Sequence, residues 1–120
     1  MKNLVTIFIM LLVVGCGESE ADRLEDSVVG SYELKFGEDT FKLVILQNGQ
    51  GDGYINRKKT AEATWKIAGK ELHNMNSFLK KTAVYKIEPN GDLTVIATIE
   101  DGKQTDLPKE DQFTYKRIHP

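Results

Sequence analysis

Apolar and polar residues alternate along most of the chain after Val28. One face of the first such segment carries Val28, Gly30, Tyr32, Leu34 and Phe36. The same alternation recurs over residues 61–67 and 93–99, although Ile96 interrupts the polar face of the second of these. Residues 41–46 are apolar on both faces apart from Lys42, which predicts a strand covered at least in part on both sides. A period of two is typical of half-buried antiparallel strands.

Turn signals separate these segments, and most of them end in glycine: Asn48-Gly49, Ala68-Gly69, Asn90-Gly91 and Asp101-Gly102. Asn-Gly and Asp-Gly pairs tolerate the positive φ angles of tight hairpins. Short turns predict an antiparallel meander of about eight strands, which can close into a small barrel. Residues 74–81 have no clear period and predict either a loop or a helical turn. We therefore expect one all-β domain over residues 28–118.

The first fifteen residues have the organisation of a signal peptide. Lys2 and the amino terminus supply positive charge, and residues 4–14 are apolar apart from Thr6. This run is too short for a membrane-spanning helix, which needs about 20 apolar residues, but it suits the apolar region of a secretory signal. Residues 1–15 are therefore predicted to be a signal peptide.

The sequence Val13-Val14-Gly15-Cys16 resembles the lipobox of bacterial lipoproteins. The resemblance implies that Cys16 is lipidated, that the chain is cut before it, and that acyl chains such as palmitate anchor the protein to a membrane of the cell envelope. Cys16 is the only cysteine, whereas exported proteins usually carry cysteines in pairs, so lipidation explains it. In lipoproteins of two-membrane bacteria, an Asp directly after the cysteine often signals retention at the inner membrane. This position is Gly17 here, which favours the outer membrane in a cell with two membranes. The alternative is an ordinary secretory signal that contains a cysteine.

Residues 17–27 are predicted to be a flexible acidic tether. They contain five acidic residues and one large aliphatic residue, Leu24, so they can bury little apolar surface. A short helix over residues 20–26 is the alternative, although it would be marginal alone. The net charge of −2 becomes −3 once Lys2 is removed, and no basic face is evident, which argues against a nucleic-acid partner.

Two short motifs of the β domain resemble lipocalin-like proteins. Val29-Gly30-Ser31-Tyr32 is similar to their Gly-x-Trp opening, with Tyr in place of Trp. Residues 113–117 are similar to their closing strand, and the resemblance implies that Arg117 packs across Tyr32. The expected fold is a small lipocalin-like barrel, either roomy or flattened and partly open. The whole chain is similar to small bacterial lipoproteins of this general type, to which no activity is assigned.

Five aromatic residues are candidates to line either a ligand cavity or a packed core: Tyr32, Phe41, Trp65, Tyr85 and Tyr115. In a barrel the two roles overlap, because the inward side chains form both the core and the wall of any cavity. A buried tyrosine hydroxyl needs a polar partner, which a neighbour or a ligand can provide.

Metal binding and catalysis are not expected. Residues 48–55 imitate the start of a calcium loop, but position twelve is Lys59 instead of the required Glu. His73 and His119 are the only histidines and are interpreted as surface residues, and no catalytic motif occurs. The basic clusters at residues 57–59 and 80–81 either solvate turns or contact anionic head groups. We therefore expect neither an enzyme nor a cofactor.

Two functions remain. In the first, a lipid-anchored barrel binds a small apolar or amphipathic molecule near the membrane. In the second, the domain is a structural or protein-interaction module of the envelope with a filled core. The presence or absence of an internal cavity of a few hundred Å³ distinguishes them, because ligand sites usually have that size.

Overall fold

The computed structural model describes the backbone of residues 20–118 and the side chains of residues 23–118. The predicted signal peptide, Cys16 and His119 lie outside these residues. In the described part of the chain, no helix combines the length and the apolar character that crossing a membrane requires.

One helix, nine strands and a 3₁₀ turn make up the described chain. Their bounds are α1 Glu20–Val28, β1 Gly30–Phe36, β2 Asp39–Ile45, β3 Gln50–Ile55, β4 Lys58–Ala68, β5 Glu71–Asn76, β6 Lys81–Ile87, β7 Leu93–Glu100, β8 Lys103–Asp106, the 3₁₀ turn Lys109–Asp111 and β9 Thr114–Ile118. The helix foreseen as marginal over residues 20–26 is present and two residues longer. Val28 therefore ends a helix, and the prediction that it begins the first strand is wrong.

The strands form an antiparallel meander that closes into a barrel. Each strand from β1 to β7 pairs with the next. β9 then pairs with both β1 and β7, which closes a ring of eight strands, while β8 forms a hairpin with β7 beside the ring. The predicted all-β meander is confirmed, and the sheet is closed.

One sequence prediction about strand faces is wrong in detail, and it concerns β7. Val84 pairs with Ala97 but Tyr85 pairs with Val95, so Ile96 is an extra residue in a β-bulge. Because a bulge reverses the alternation, Ala97 does not share a face with Val95. The partial cover predicted for both faces of β2 is present. Leu43 and Ile45 are buried on the inner face, and Val44 is half-buried on the outer face beside the exposed Lys42.

Residues 74–81 prove to be a hairpin. Asn74 to Asn76 end β5, Lys81 begins β6, and residues 77–80 form the turn between them. The predicted turns at Asn48-Gly49, Gly69 and Asp101-Gly102 are all present, each glycine having a positive φ.

The two ends of the barrel differ. We call the end that carries α1 and the turns at residues 46–49, 69–70 and 88–92 the closed end. The open end carries the turns at residues 37–38, 56–57, 77–80 and 101–102. The buried core lies in the half next to the closed end and comprises Val28, Tyr32, Leu43, Ile45, Trp65, Leu72, Tyr85 and Leu93.

Candidate functional site

A cavity of about 280 Å³ occupies the half of the barrel next to the open end. Its wall comes from the inward positions of successive strands, including Phe41, Leu43, Ala63, Ala83, Tyr85 and Tyr115. Leu79, in the turn between β5 and β6, stands at the rim. The cavity is therefore the unfilled part of the barrel interior.

Small inward residues leave this space open. Gly51 and Gly53 on β3, Ala61 and Ala63 on β4, and Ala83 on β6 all line the cavity. The same strands and their neighbours place Trp65, Ile45 and Leu72 inward nearer the closed end, where the interior is filled. An eight-stranded barrel has an interior that side chains can just fill. A group of glycine and alanine residues in one half therefore leaves a void there.

The side chain of Asn74 occupies the space next to Gly51 that a side chain on Gly51 would fill. A Cβ atom on Gly51 would overlap with Asn74 Oδ1, whereas a Cβ on Gly53 would make an ordinary 3.4 Å contact with Ala61 Cβ. Among the described residues, Asn74 Oδ1 is a buried side-chain acceptor without a hydrogen-bond partner. A buried acceptor of this kind costs free energy unless a water or a ligand donates to it.

Tyr85 and Tyr115 place two hydroxyl groups in the mostly apolar wall. Their rings meet edge to face, with centroids 5.9 Å apart. Burial raises the pKa of both hydroxyls, and the neighbouring Tyr115 raises that of Tyr85 further. Both hydroxyls therefore remain protonated at neutral pH and can donate a hydrogen bond to a ligand.

The five aromatic candidates fall into two groups. Phe41, Tyr85 and Tyr115 line the cavity, and Tyr85 also belongs to the buried core where the two halves meet. Tyr32 and Trp65 belong to the packed half, where each has a backbone partner. The Tyr32 hydroxyl donates to Val28 O at 2.6 Å, and Trp65 Nε1 donates to Leu46 O at 2.7 Å. Their polar atoms therefore hold the closed end together.

Arg117 joins the last strand to the helix. Its guanidinium donates to Ser27 O and, at 2.7 Å, to Val29 O, and it lies 5.6 Å from the centre of the Tyr32 ring. A cation is favourable at a helix C-terminus, where unpaired carbonyl groups concentrate negative charge. Gly30 has a φ of +152°, and a Cβ there would lie 3.1 Å from Arg117 Nη2, so the close approach depends on glycine.

No protein family, curated protein or solved structure matches this chain. Its closed barrel is nevertheless consistent with a lipocalin-like domain, since it has eight antiparallel strands in a meander. The packing of Arg117 across Tyr32 is the contact that the resemblance implied.

The motif that imitates a calcium loop forms an ordinary hairpin. Asn48 Oδ1 accepts a hydrogen bond from Gln50 N at 3.0 Å, as in a tight turn. The buried carboxylate of Asp52 lies 3.5 Å from Lys59 Nζ, on the outer face of the sheet. Within residues 23–118, no group of three His, Cys, Asp or Glu side chains is arranged to hold a metal ion. His73 lies 3.2 Å from Glu71 and does not line the cavity.

A larger depression of about 670 Å³ lies outside the barrel, over β1 to β3. Charged and polar side chains surround it, including Glu33, Lys35, Lys42 and Arg57. It is a groove across exposed strand faces, whereas the smaller cavity lies inside the barrel, opens to solvent at the rim and has a mostly apolar wall. The smaller, apolar cavity is therefore the better candidate for a ligand site.

Sequence reasoning missed the residues that create the cavity. It selected inward aromatic residues because these are large and conspicuous, but the space results from Gly53, Ala61, Ala63 and Ala83. The signal was present in the sequence as inward positions occupied by small residues. Reading it requires the register between strands, because the small residues must be neighbours in order to leave a void.

Proposed function

We propose that this protein is an envelope lipoprotein, anchored through Cys16, whose barrel binds a small apolar or amphipathic molecule. One observation carries the proposal: an otherwise packed barrel contains a cavity of about 280 Å³ with a mostly apolar wall. Close packing is the rule in protein interiors. A cavity that four small residues, Gly53, Ala61, Ala63 and Ala83, keep open is thus a feature that ligand binding explains.

The shape and chemistry of the cavity limit the ligand. Its volume of about 280 Å³ is near the lower end for small-molecule sites, roughly 300–1,000 Å³. It is about twice the 150 Å³ that suffices for benzene in an engineered apolar cavity. The ligand is therefore small, such as a single short acyl chain or a compact ring system. Polar groups of the wall that can contact its polar part include the hydroxyls of Tyr85 and Tyr115, the amide of Asn74, and the side chains of Thr60, Asn76 and Thr98.

The anchor and the location are supported by the sequence. The lipobox-like motif ends at Cys16, and Gly17 in place of Asp favours the outer membrane in a cell with two membranes. Two or more acyl chains hold a protein stably on a membrane. The intact mass of the protein purified from membranes tests this part: a chain that begins at Cys16 and carries acyl groups supports it, and any other start or an unmodified mass contradicts it.

Ligand binding is tested by native mass spectrometry of the purified full chain after incubation with a lipid extract of the source envelope. We expect a discrete added mass that disappears on unfolding. Ala83→Leu fills the cavity from its wall and should abolish the added mass. Thr82→Leu is the matched control, because Thr82 is the outward neighbour on the same strand. Binding that survives Ala83→Leu, or that both variants abolish equally, contradicts a site in this cavity.

A structural or interaction role without a ligand is the alternative. It is favoured by the solid packing of the other half of the barrel and by the modest size of the cavity. A mass without added ligand across a range of lipids would support this alternative. Neither function assigns a catalytic role to the chain.

A further inference from the structure

We propose that the cavity binds a small neutral alcohol, which lies with its hydroxyl group at the inner end, among Tyr85, Tyr115 and Asn74, and with its apolar part towards the open end. The ligand consists of a hydroxyl group on a compact ring or a short chain. This ligand class deepens the proposed function and rests on it, because the alcohol occupies the same cavity.

Three polar groups of the cavity wall lie together at its inner end. Tyr85 belongs to the buried core, and Tyr115 packs both against that core and against the Tyr85 ring. Asn74 pairs with Ala83, two positions before Tyr85, so Asn74 and Tyr85 are diagonal neighbours on the inner face of adjacent strands. The two hydroxyl groups and the amide therefore surround one part of the cavity, below the rim.

These three groups lack hydrogen-bond partners within the described chain. No side chain or backbone group among residues 23–118 hydrogen-bonds to the hydroxyl of Tyr85 or of Tyr115, and both residues line the cavity. Asn74 Oδ1 is buried and likewise has no partner there. Buried polar groups in proteins are nearly always hydrogen-bonded, so the partner of this group of three is a molecule in the cavity.

The other uncharged polar side chains of the wall add little to this demand. Thr60 Oγ1 donates to a backbone carbonyl of β3 at 3.4 Å, and Asn76 Oδ1 accepts hydrogen bonds from the backbone of the turn that follows it. Thr98 pairs with Ala83 and adds one more hydroxyl at the level of Asn74. The unpaired polar groups are therefore concentrated around Asn74 and the two tyrosines.

The distribution of polar groups determines which end of the ligand enters first. Between the inner end and the rim the wall is mostly apolar and includes Phe41, Gly53, Ala61 and Ala83. A ligand that entered with its apolar end first would displace water from the tyrosine hydroxyls without replacing their hydrogen bonds, which costs free energy. A ligand that enters with its polar end first pairs these groups and places its apolar part against the apolar wall.

A hydroxyl group matches the chemistry of all three partners. Burial raises the pKa of Tyr85 and of Tyr115, so both hydroxyls are protonated at neutral pH and can donate. Asn74 has an acceptor oxygen and a donor nitrogen, which exchange places when the amide rotates. A ligand hydroxyl can accept from a tyrosine and donate to the Asn74 oxygen, whereas a carbonyl or an ether can only accept.

The inner end of the cavity offers no counter-charge to an ionised ligand. Among the described residues, no Asp or Glu lines the cavity, and the charged residues that do, Lys42 and Lys81, are both exposed. Lys81 stands at the rim, where β6 begins. A carboxylate or an ammonium group at the inner end would be buried without a partner, which costs far more than burying a hydroxyl group. The ligand is therefore neutral.

Isothermal titration calorimetry of the purified full chain at neutral pH tests this ligand class with three probes that share one skeleton: para-propylphenol, propylbenzene and para-propylbenzoate. We expect para-propylphenol to bind on the order of tenfold more tightly than propylbenzene, because it adds hydrogen bonds. It should also bind on the order of tenfold more tightly than para-propylbenzoate, which is charged. Equal affinity for the phenol and the hydrocarbon, or tighter binding of the benzoate, overturns the proposal.

Variants locate the hydroxyl group of the ligand. Tyr85→Phe with Tyr115→Phe removes both wall hydroxyls but keeps the rings, so the preference for the phenol should disappear while propylbenzene still binds. If this double variant no longer binds propylbenzene, Tyr115→Phe alone is compared, and it should lower the preference. A preference that these changes leave intact overturns the proposal.

Two control variants should keep the full preference. Tyr32→Phe makes the same change in the packed half, where the Tyr32 hydroxyl donates to Val28 O. Lys81→Met removes a charge from the rim. A preference for the phenol that Lys81→Met abolishes would place the polar end of the ligand at the rim and overturn the proposal.

The native mass spectrometry with envelope extract separates failure of this ligand class from failure of the proposed function. An added mass that Ala83→Leu abolishes, combined with no preference for para-propylphenol, supports ligand binding by the cavity and overturns the alcohol. An extract ligand that is charged or lacks a hydroxyl group overturns the alcohol as well. Absence of the added mass together with absence of probe binding contradicts both.

Discussion

The two halves of the barrel use the same eight strands for different purposes. Next to the closed end, inward side chains are large, and Trp65, Tyr32 and Arg117 donate hydrogen bonds to backbone carbonyl groups. Next to the open end, inward side chains are small, and a polar atom of Asn74 has no partner among the described residues. One continuous sheet can therefore place its stability at one end and an interior space at the other.

The largest difference in stability between the halves should appear when a leucine is shortened to alanine in each. Leu72→Ala in the packed half should lower the free energy of unfolding by about 3 kcal/mol, because it leaves a cavity among fully buried neighbours. Leu79→Ala at the open rim should change it by less than about 0.5 kcal/mol, since Leu79 is 64% exposed. Urea denaturation of both variants measures the two values. Similar losses in the two variants would show that the rim contributes to stability as the core does.

Replacing an arginine at each end should give a smaller contrast. Arg117→Met removes the hydrogen bonds to Ser27 O and Val29 O and the cation above Tyr32, and should cost about 2 kcal/mol. Arg57→Met, in an exposed turn of the open end, should be nearly neutral. Thermal unfolding followed by circular dichroism compares the two variants. A neutral Arg117→Met would mean that α1 is held by its apolar contacts alone.

The smallest effect should appear at alkaline pH. Burial raises the pKa of Tyr85 above the ordinary value of 10.0. Above about pH 10 the unfolded chain loses a proton that the folded chain keeps, so stability is constant below that pH and falls as pH rises. The slope for one such tyrosine is at most about 1.4 kcal/mol per pH unit. Tyr85→Phe should flatten the decline between pH 10 and 11 in urea titrations, and an unchanged slope would show that Tyr85 reaches water in the folded state.

The sequence was sufficient to predict the architecture. Alternation of period two and glycine turns identified the meander, and the likeness of residues 29–32 and 113–117 to lipocalin-like motifs anticipated the Arg117–Tyr32 contact. The errors have local causes. Ile96 shifts the register of β7 by one residue, and α1 extends to Val28 because that side chain is buried against the barrel, which the pattern of a short acidic segment does not reveal.

The candidate site was predictable only in part. Phe41, Tyr85 and Tyr115 were among the candidates and line the cavity, whereas Asn74 and the small residues around it were not. A void depends on which inward residues are neighbours across three or four strands. That information is absent from any one segment of sequence, because the register between strands is set by the packing of the whole sheet.

The closure of the ring by β9 has a consequence for how the chain acquires its structure. β1 forms pairs with β9, whose first residue lies more than seventy positions further along the chain, at Thr114. Until residues 114–118 have left the ribosome, β1 and β7 keep unpaired edges and the wall of the barrel has a gap. Contacts so distant in sequence also form slowly. A nascent chain with this topology remains incompletely folded until residues 114–118 have been made, which is the state that passage through an export channel, as proposed for this protein, requires.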